Sequence, residues 1–213
     1  MVPLDLFLLI VALSAIAVLQ FFRGRRQNLV LMKFTVETLE KVLAPVDKVY
    51  QLVGLYVGYR AVLWLRRKNL SRAEATVLLM PRYSAFYYPI SKLVNRFDRI
   101  YLTYWFSRPA ITSEAHLIRV GGYRRPLHKV VRDCDRMVRS EVVVKGVRFV
   151  ALSRDGKGVG RLVRFLESLE RPEDVVHVAL VPQNNSIYIF ARIDPDTFAN
   201  LVERSYRLAQ SFA

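Results

Sequence analysis

Cysteine is almost absent. Cys134 is the single one in 213 residues, so no intrachain disulfide can form. That suits a reducing compartment and excludes disulfide-stapled scaffolds. Metal chemistry lacks its ligands as well: His116, His128 and His177 stand far apart, and no Cys/His pair has ligand spacing. Cys134 lies between Asp133 and Asp135, whose carboxylates oppose thiolate formation, with Arg132 and Arg136 only partly offsetting them. A buried structural thiol is expected there, not a nucleophile. Neither the dinucleotide fingerprint nor a G-x-x-x-x-G-K-[ST] loop occurs. With these elements missing, no cofactor and no metal is expected, and no reaction can be named. Gln, Asn and Met are also scarce and Arg outnumbers Lys about three to one, which fits a heat-adapted prokaryote or a GC-rich genome.

Positive charge is what the start of the chain lacks. Leu6 to Phe22 is apolar except for Ser14 and Gln20, and the run stops at Arg23-Gly24-Arg25-Arg26. As a helix it rises roughly 25 Å, and a start at Val2 extends it to about 30 Å, the thickness of a hydrocarbon core. Asp5 then lies near an interface. A helix satisfies its own backbone groups, which lipid cannot do. Since Lys and Arg follow the run and none precedes it, the positive-inside rule places the N-terminus outside and the rest in the cytoplasm. A cleaved signal peptide needs the reverse charge order and a small-residue exit, where this run has Phe21 and Phe22. Residues 1–26 therefore read as a single-pass anchor in the cell membrane. Leu52 to Leu65 is also apolar, but it is short and contains Arg60, which costs about 2.5–3.5 kcal/mol at mid-bilayer. A buried strand explains it better than a second span or a membrane hairpin.

The charge after the anchor is uneven. Arg23 to Ser140 holds 23 basic and 8 acidic side chains, net +15, whereas Glu141 to Ala213 holds 10 and 9. A basic half next to the anchor suits an anionic leaflet, at about 1 kcal/mol per cation near the surface. The same charge suits nucleic acid through counterion release. The plain alternative is that arginine is simply the solvated-face residue of this chain.

The periodicities give an α+β protein: one transmembrane helix, then an antiparallel-sheet domain ending in a β-α-β-β-α layer. Leu29, Met32, Val36, Leu39 and Leu43 repeat at helical spacing, so 27–45 reads as an amphipathic helix or stalk, ended by Pro45. Residues 46–140 read as a basic, mainly β region, with strands over 51–65, 74–80, 100–106 and 113–120 and a short helix over 90–95. Pro126 to Arg139 is ambiguous, although Val130, Val131, Cys134, Met137 and Val138 suit one face of a helix. Residues 141–213 give a strand over 142–152 kinked at Gly146, a helix over 158–169, a strand over 175–181, a turn at 183–186, and a strand over 187–193. Asp194-Pro195 then reads as the N-cap and first residue of a final helix. This order matches part of a ferredoxin-like layer, and the two regions are expected to pack as one domain.

Four stretches carry chemistry worth testing. Gly156, Lys157, Gly158, Gly160 and Arg161 lie between a strand and a helix, where free N–H groups and glycines favour an anion; the ordinary reading is a flexible turn. Arg82, Tyr83, Phe86, Tyr87, Tyr88 and Lys92 interleave cations with aromatics, as at a bilayer interface or a base-stacking surface. With Arg23, Arg25 and Arg26 they form the candidate membrane-interface or partner-binding set. The ordinary reading puts Phe86 and Tyr88 in the core. Lys145 to Leu152 follows the RNP1 pattern weakly, with Phe149 its one stacking ring. Glu114 and His116 fall on one side of a strand, a candidate acid/base pair. The function these features favour is a non-enzymatic binding or scaffold module with a basic cytoplasmic domain at the inner membrane surface, its partner an anionic lipid surface or a protein. The alternatives are a tethered nucleic-acid or ribosome binder and a membrane-associated enzyme on a phosphorylated or lipid substrate.

Overall fold

The computed structural model describes residues 3–66 and 69–213, with Asn95 by its backbone alone. Val2, the start of the longer span, and Lys68, a strand boundary, lie outside the described residues. The apolar run and the amphipathic stretch are one continuous helix, α1 (Leu4–Leu43), of 40 residues and so about 60 Å long. Its first half is long and apolar enough to cross a membrane. The domain leaves it bare: Leu8, Leu13, Ile16 and Leu19 are 50–71% exposed. Its second half packs on the domain, with Asn28, Thr35, Leu39 and Leu43 buried.

Among the described residues nine strands form one sheet in the order β1-β2-β3-β4-β9-β8-β5-β7-β6, every neighbouring pair antiparallel. They are β1 (Asp47–Leu52), β2 (Gly58–Trp64), β3 (Leu70–Leu78), β4 (Arg99–Phe106), β5 (Ala115–Arg119), β6 (Val138–Val144), β7 (Val147–Ser153), β8 (Val175–Val181) and β9 (Ser186–Arg192). The second half of α1, α3 (Val159–Ser168) and α4 (Phe198–Gln210) cover one face. Strand alternation supplies that face: Ile100, Leu102, Tyr104 and Phe106 of β4 are buried, while Arg99, Tyr101, Thr103 and Trp105 look the other way and stay half-exposed. On the second face the segment after β5 packs Val131 and Met137 against Ile118, Val150 and Leu152.

The structure corrects several boundaries. The strand expected over 51–65 is two, β1 and β2, separated by a turn in which Gly54 and Tyr56 have φ of 67° and 60°. The kink at Gly146 is a complete hairpin turn: Lys145 and Gly146 both have positive φ, the geometry that favours Asn-Gly and that Lys-Gly signals poorly. Pro126 to Arg139 forms two single 3₁₀ turns, Leu127–Lys129 and Cys134–Arg136, not a helix. Cys134 is half-buried, not buried. Desolvation and the adjacent Asp135 carboxylate push its thiol above the ordinary range. The regular part of the last helix starts at Phe198, and Thr197 before it makes no side-chain cap bond; Asp194 still opens the segment as an N-cap would, accepting from the Asp196 N–H at 3.2 Å, and it also pairs with Arg171 at 2.9 Å. The β7-α3-β8 crossover joins parallel strands flanking β5, and β9 pairs on the outer side of β8 and with β4.

Candidate functional site

The apolar half of α1 leaves the domain at a dense polar junction. The Asn28 side-chain amide donates to the backbone carbonyls of Tyr56 and Met80 at 2.6 and 2.9 Å, and Arg82 donates back to Asn28 Oδ1 at 3.0 Å. Arg82 also grips Asp98 through both guanidinium nitrogens, at 2.9 and 2.5 Å, and the Met80 N–H completes the carboxylate at 2.8 Å. Gln20 donates to the Arg82 carbonyl at 2.8 Å. Gly24 makes this approach possible, since a Cβ there would stand 2.1 Å from the Arg82 carbonyl oxygen. The glycine inside the basic cluster is thus a packing position. Burial works against the Arg82 charge, but Asp98 outweighs it and holds the guanidinium pKa above its ordinary value. Arg82, expected among the interface residues, is committed to this junction.

The other residues of that set spread around the junction. Tyr83 lies edge-on between Phe21 and Tyr56, each 6.2 Å away. Arg25 covers the Tyr56 ring at 4.7 Å, Arg23 and Arg26 are exposed, and Lys92 lies 5.2 Å over Tyr88. The following helix, α2 (Tyr87–Asn95), runs along the surface with no apolar cover. Phe86 is 78% and Leu93 74% exposed, with Tyr87, Ile90 and Val94 more than half exposed. The core placement of Phe86 is therefore wrong. Leu55, at the β1–β2 hairpin tip, is 71% exposed beside the same junction.

Past α2 the uncovered sheet face carries a cleft of about 540 Å³. Register explains its floor. Tyr101 pairs with Phe190 across β4–β9, Phe190 with His177 across β9–β8, and His177 with Ile118 across β8–β5, so all four face one side. Tyr101 and Phe190 stack at 4.7 Å, and Tyr123 closes over Phe190 at 5.7 Å. Arg96, Arg99, Arg124, Arg125 and Lys129 stand around the opening, and no carboxylate lines it. Among the described residues, none of these five forms an ion pair. Arg124 ties the rim to α2 by donating to the Leu93 carbonyl.

Beside the floor, on the same face and buried next to Tyr123, runs a polar chain. Tyr123 Oη lies 3.0 Å from His177 Nδ1, and His177 Nε2 lies 3.1 Å from His116 Nδ1. His116 Nε2 faces the Glu114 carboxylate at 3.5 Å, a long contact. One proton placement satisfies the chain: Tyr123 donates to His177, His177 to His116, and His116 points its remaining N–H at Glu114. Arg154 and Gln183 donate to Glu114 at 2.7 and 3.0 Å. Burial raises the Glu114 pKa, yet these hydrogen bonds win and hold it below the usual carboxylate range. Burial keeps both histidines neutral, lowering His116 and driving His177 down to about 3 with His116 beside it. Burial pushes Tyr123 up to about 12. The Glu114–His116 pair was legible from spacing. The joining of His116 to His177 was not, because it depends on β5 pairing with β8 from 61 residues away.

At the glycine turn, Asp155 accepts from Ser113 and from the Lys157 N–H, so the loop carries an anionic group of its own. Gly156 and Gly158 take φ of 70° and 85°, while Gly160 already lies within α3. Arg161 stacks on Phe212 at 4.4 Å and lines, with Arg164, Arg204 and Arg207, a shallow cleft between α3 and α4. Phe149, the one ring of the RNP1-like stretch, is fully buried and cannot stack a base. Among the described residues no group of three or more His, Cys, Asp or Glu is placed to hold a metal. No protein-family model matches the chain, and no curated protein matches it.

Proposed function

We propose that the protein is a membrane-anchored binding module whose domain rests on the inner membrane surface. The apolar half of α1 spans the bilayer with its N-terminal end outside, and the domain lies in the cytoplasm, where the basic cluster at Arg23 to Arg26 favours it. One observation carries the reading. The exposed apolar side chains of α2 and the β1–β2 tip belong to the two segments that meet the end of the apolar run: Tyr83, just before α2, packs on Phe21 and on Tyr56 of the tip, Gln20 donates to the Arg82 carbonyl, and Gly24 passes close against the Arg82 backbone. An apolar apron at headgroup depth, flanked by cations and tyrosines, is the pattern of an interfacial helix.

The test places a nitroxide at Leu93→Cys in a Cys134→Ser background, in full-length protein reconstituted into phospholipid vesicles. The label should meet lipid-dissolved oxygen more readily than an aqueous nickel reagent. A control at Val143→Cys, on the exposed β6 edge, should show the reverse. Equal, water-like accessibility at both positions would sink the proposal.

A further inference from the structure

The cleft beside α2 is lined by cations and aromatic rings and by no carboxylate. Several arginines elsewhere meet carboxylates: Arg82 with Asp98, Arg154 with Glu114, Arg171 with Asp194. Around the cleft, five cations share one opening without a counter-charge. Their mutual repulsion works against the fold, and an anion in the cleft would remove it. The volume, about 540 Å³, lies within the roughly 300–1,000 Å³ of small-molecule sites.

Position narrows the anion. Arg99 follows Asp98, which Arg82 ties to Asn28 of α1. Asn28 stands roughly 9 Å along the helix axis from Phe22, the end of the apolar run, close to the thickness of one headgroup layer, about 5–7 Å. Val94 belongs both to the cleft wall and to the exposed apolar side of α2. The opening is therefore continuous with the surface proposed to meet lipid.

Resting on that membrane reading, we infer that the cleft binds the headgroup of an anionic phospholipid. The phosphate lies against the rim cations, the glycerol carbons cover the Tyr101 ring, and the acyl chains leave along Val94 and Leu93. Basic pockets at the cytoplasmic side of membrane proteins hold anionic headgroups by the same physics.

Full-length protein in neutral detergent is titrated with dihexanoyl phosphatidic acid, dihexanoyl phosphatidylcholine, glycerol phosphate and a single-stranded oligonucleotide. The short-chain phosphatidic acid should bind tightest. Each cation removed should weaken it about fivefold, so Arg99→Gln with Arg125→Gln should cost about 25-fold. Arg125→Gln with Lys129→Gln, both exposed, gives the same readout if the Arg99 variant misfolds. Indifference to these substitutions overturns the inference. Glycerol phosphate binding as tightly as the lipid overturns it in favour of a soluble phosphate ester, and an oligonucleotide binding tightest overturns it in favour of nucleic acid. Vesicle flotation separates the two levels. If the unsubstituted protein fails to float with vesicles, the membrane reading falls; if it floats but binds every ligand alike, the headgroup site alone falls.

Discussion

Arg82 and Arg99 lie on either side of Asp98 and have opposite surroundings. Arg82 is enclosed by Asn28 and Asp98 at the foot of α1, donating three hydrogen bonds to their side chains. Arg99 starts β4 at the edge of the aromatic cleft with four other cations and no carboxylate. The junction spends its charge on fixing a helix to a sheet, whereas the cleft keeps its charge available. Net charge, read as one basic half, merges the two. If the comparison is right, substitutions in the junction should unfold the protein, and those in the cleft should leave it folded.

The largest effect should come from Asp98→Ala. The side chains of Arg82 and Asp98 are 17% and 8% exposed, so removing the carboxylate strands a guanidinium with little water to replace it. A loss of about 3–5 kcal/mol is expected, the range for breaking one side of a buried pair. A thermal midpoint in detergent would measure it. A change no larger than that of a surface substitution would erase the distinction between the regions. Gly24→Val ranks next: the 2.1 Å clash with the Arg82 carbonyl must push α1 off the domain, costing about 1–3 kcal/mol. Faster proteolysis between residues 24 and 82 should accompany that loss.

Both of these positions show where sequence reading stops. The apolar run, the strand alternation of β4 and the residues of β8 follow from local pattern, because each depends on neighbours one to four residues away. Gly24 looked like part of a stop signal, since nothing local marks a glycine that must pass a backbone 58 residues later. Phe86 was placed in the interface set, with a core position as the ordinary alternative because most phenylalanines have one. Its exposure depends on what the described residues leave uncovered on the apolar side of α2. The cleft itself was invisible: Tyr101, Tyr123 and Phe190 come together only through the β4–β9–β8 register and the segment that folds over it.

A third prediction concerns the chain beside the cleft floor. His177 is neutral in the fold, with its pKa near 3, against about 6.5 when unfolded. The unfolded chain therefore takes up the proton first. The contribution is fully present above about pH 6.5 and is lost as pH falls from there towards 3. His116, also lowered, adds to the loss with the same sign. Tyr123 and Tyr188, the other groups against the His177 ring, have raised pKa values and stay protonated across that window. His177→Gln keeps a hydrogen-bonding side chain and removes the titration, so its stability should fall less between pH 6.5 and 4.5. Parallel denaturant midpoints for the two proteins would show that this ring does not govern the slope.

The smallest effect is also the most discriminating, because its sign is reversed. Arg125 is exposed and stands among four other cations with no partner. Arg125→Gln removes repulsion without leaving anything unsatisfied, so in the absence of lipid it should stabilise the protein by no more than about 0.5 kcal/mol. The gain should be visible at 10 mM salt, where charges interact over about 30 Å, and should vanish at 1 M, where they interact over about 3 Å. Added anionic lipid should invert the ranking, making the unsubstituted protein the more stable one through linkage to the bound state. An Arg82 substitution cannot behave this way, since removing that side chain strips Asp98 of its counter-charge and leaves Asn28 Oδ1 without its donor at any salt. A destabilised Arg125→Gln at low salt without lipid would mean that the rim arginines belong to the fold as Arg82 does, and the contrast between the two regions would collapse.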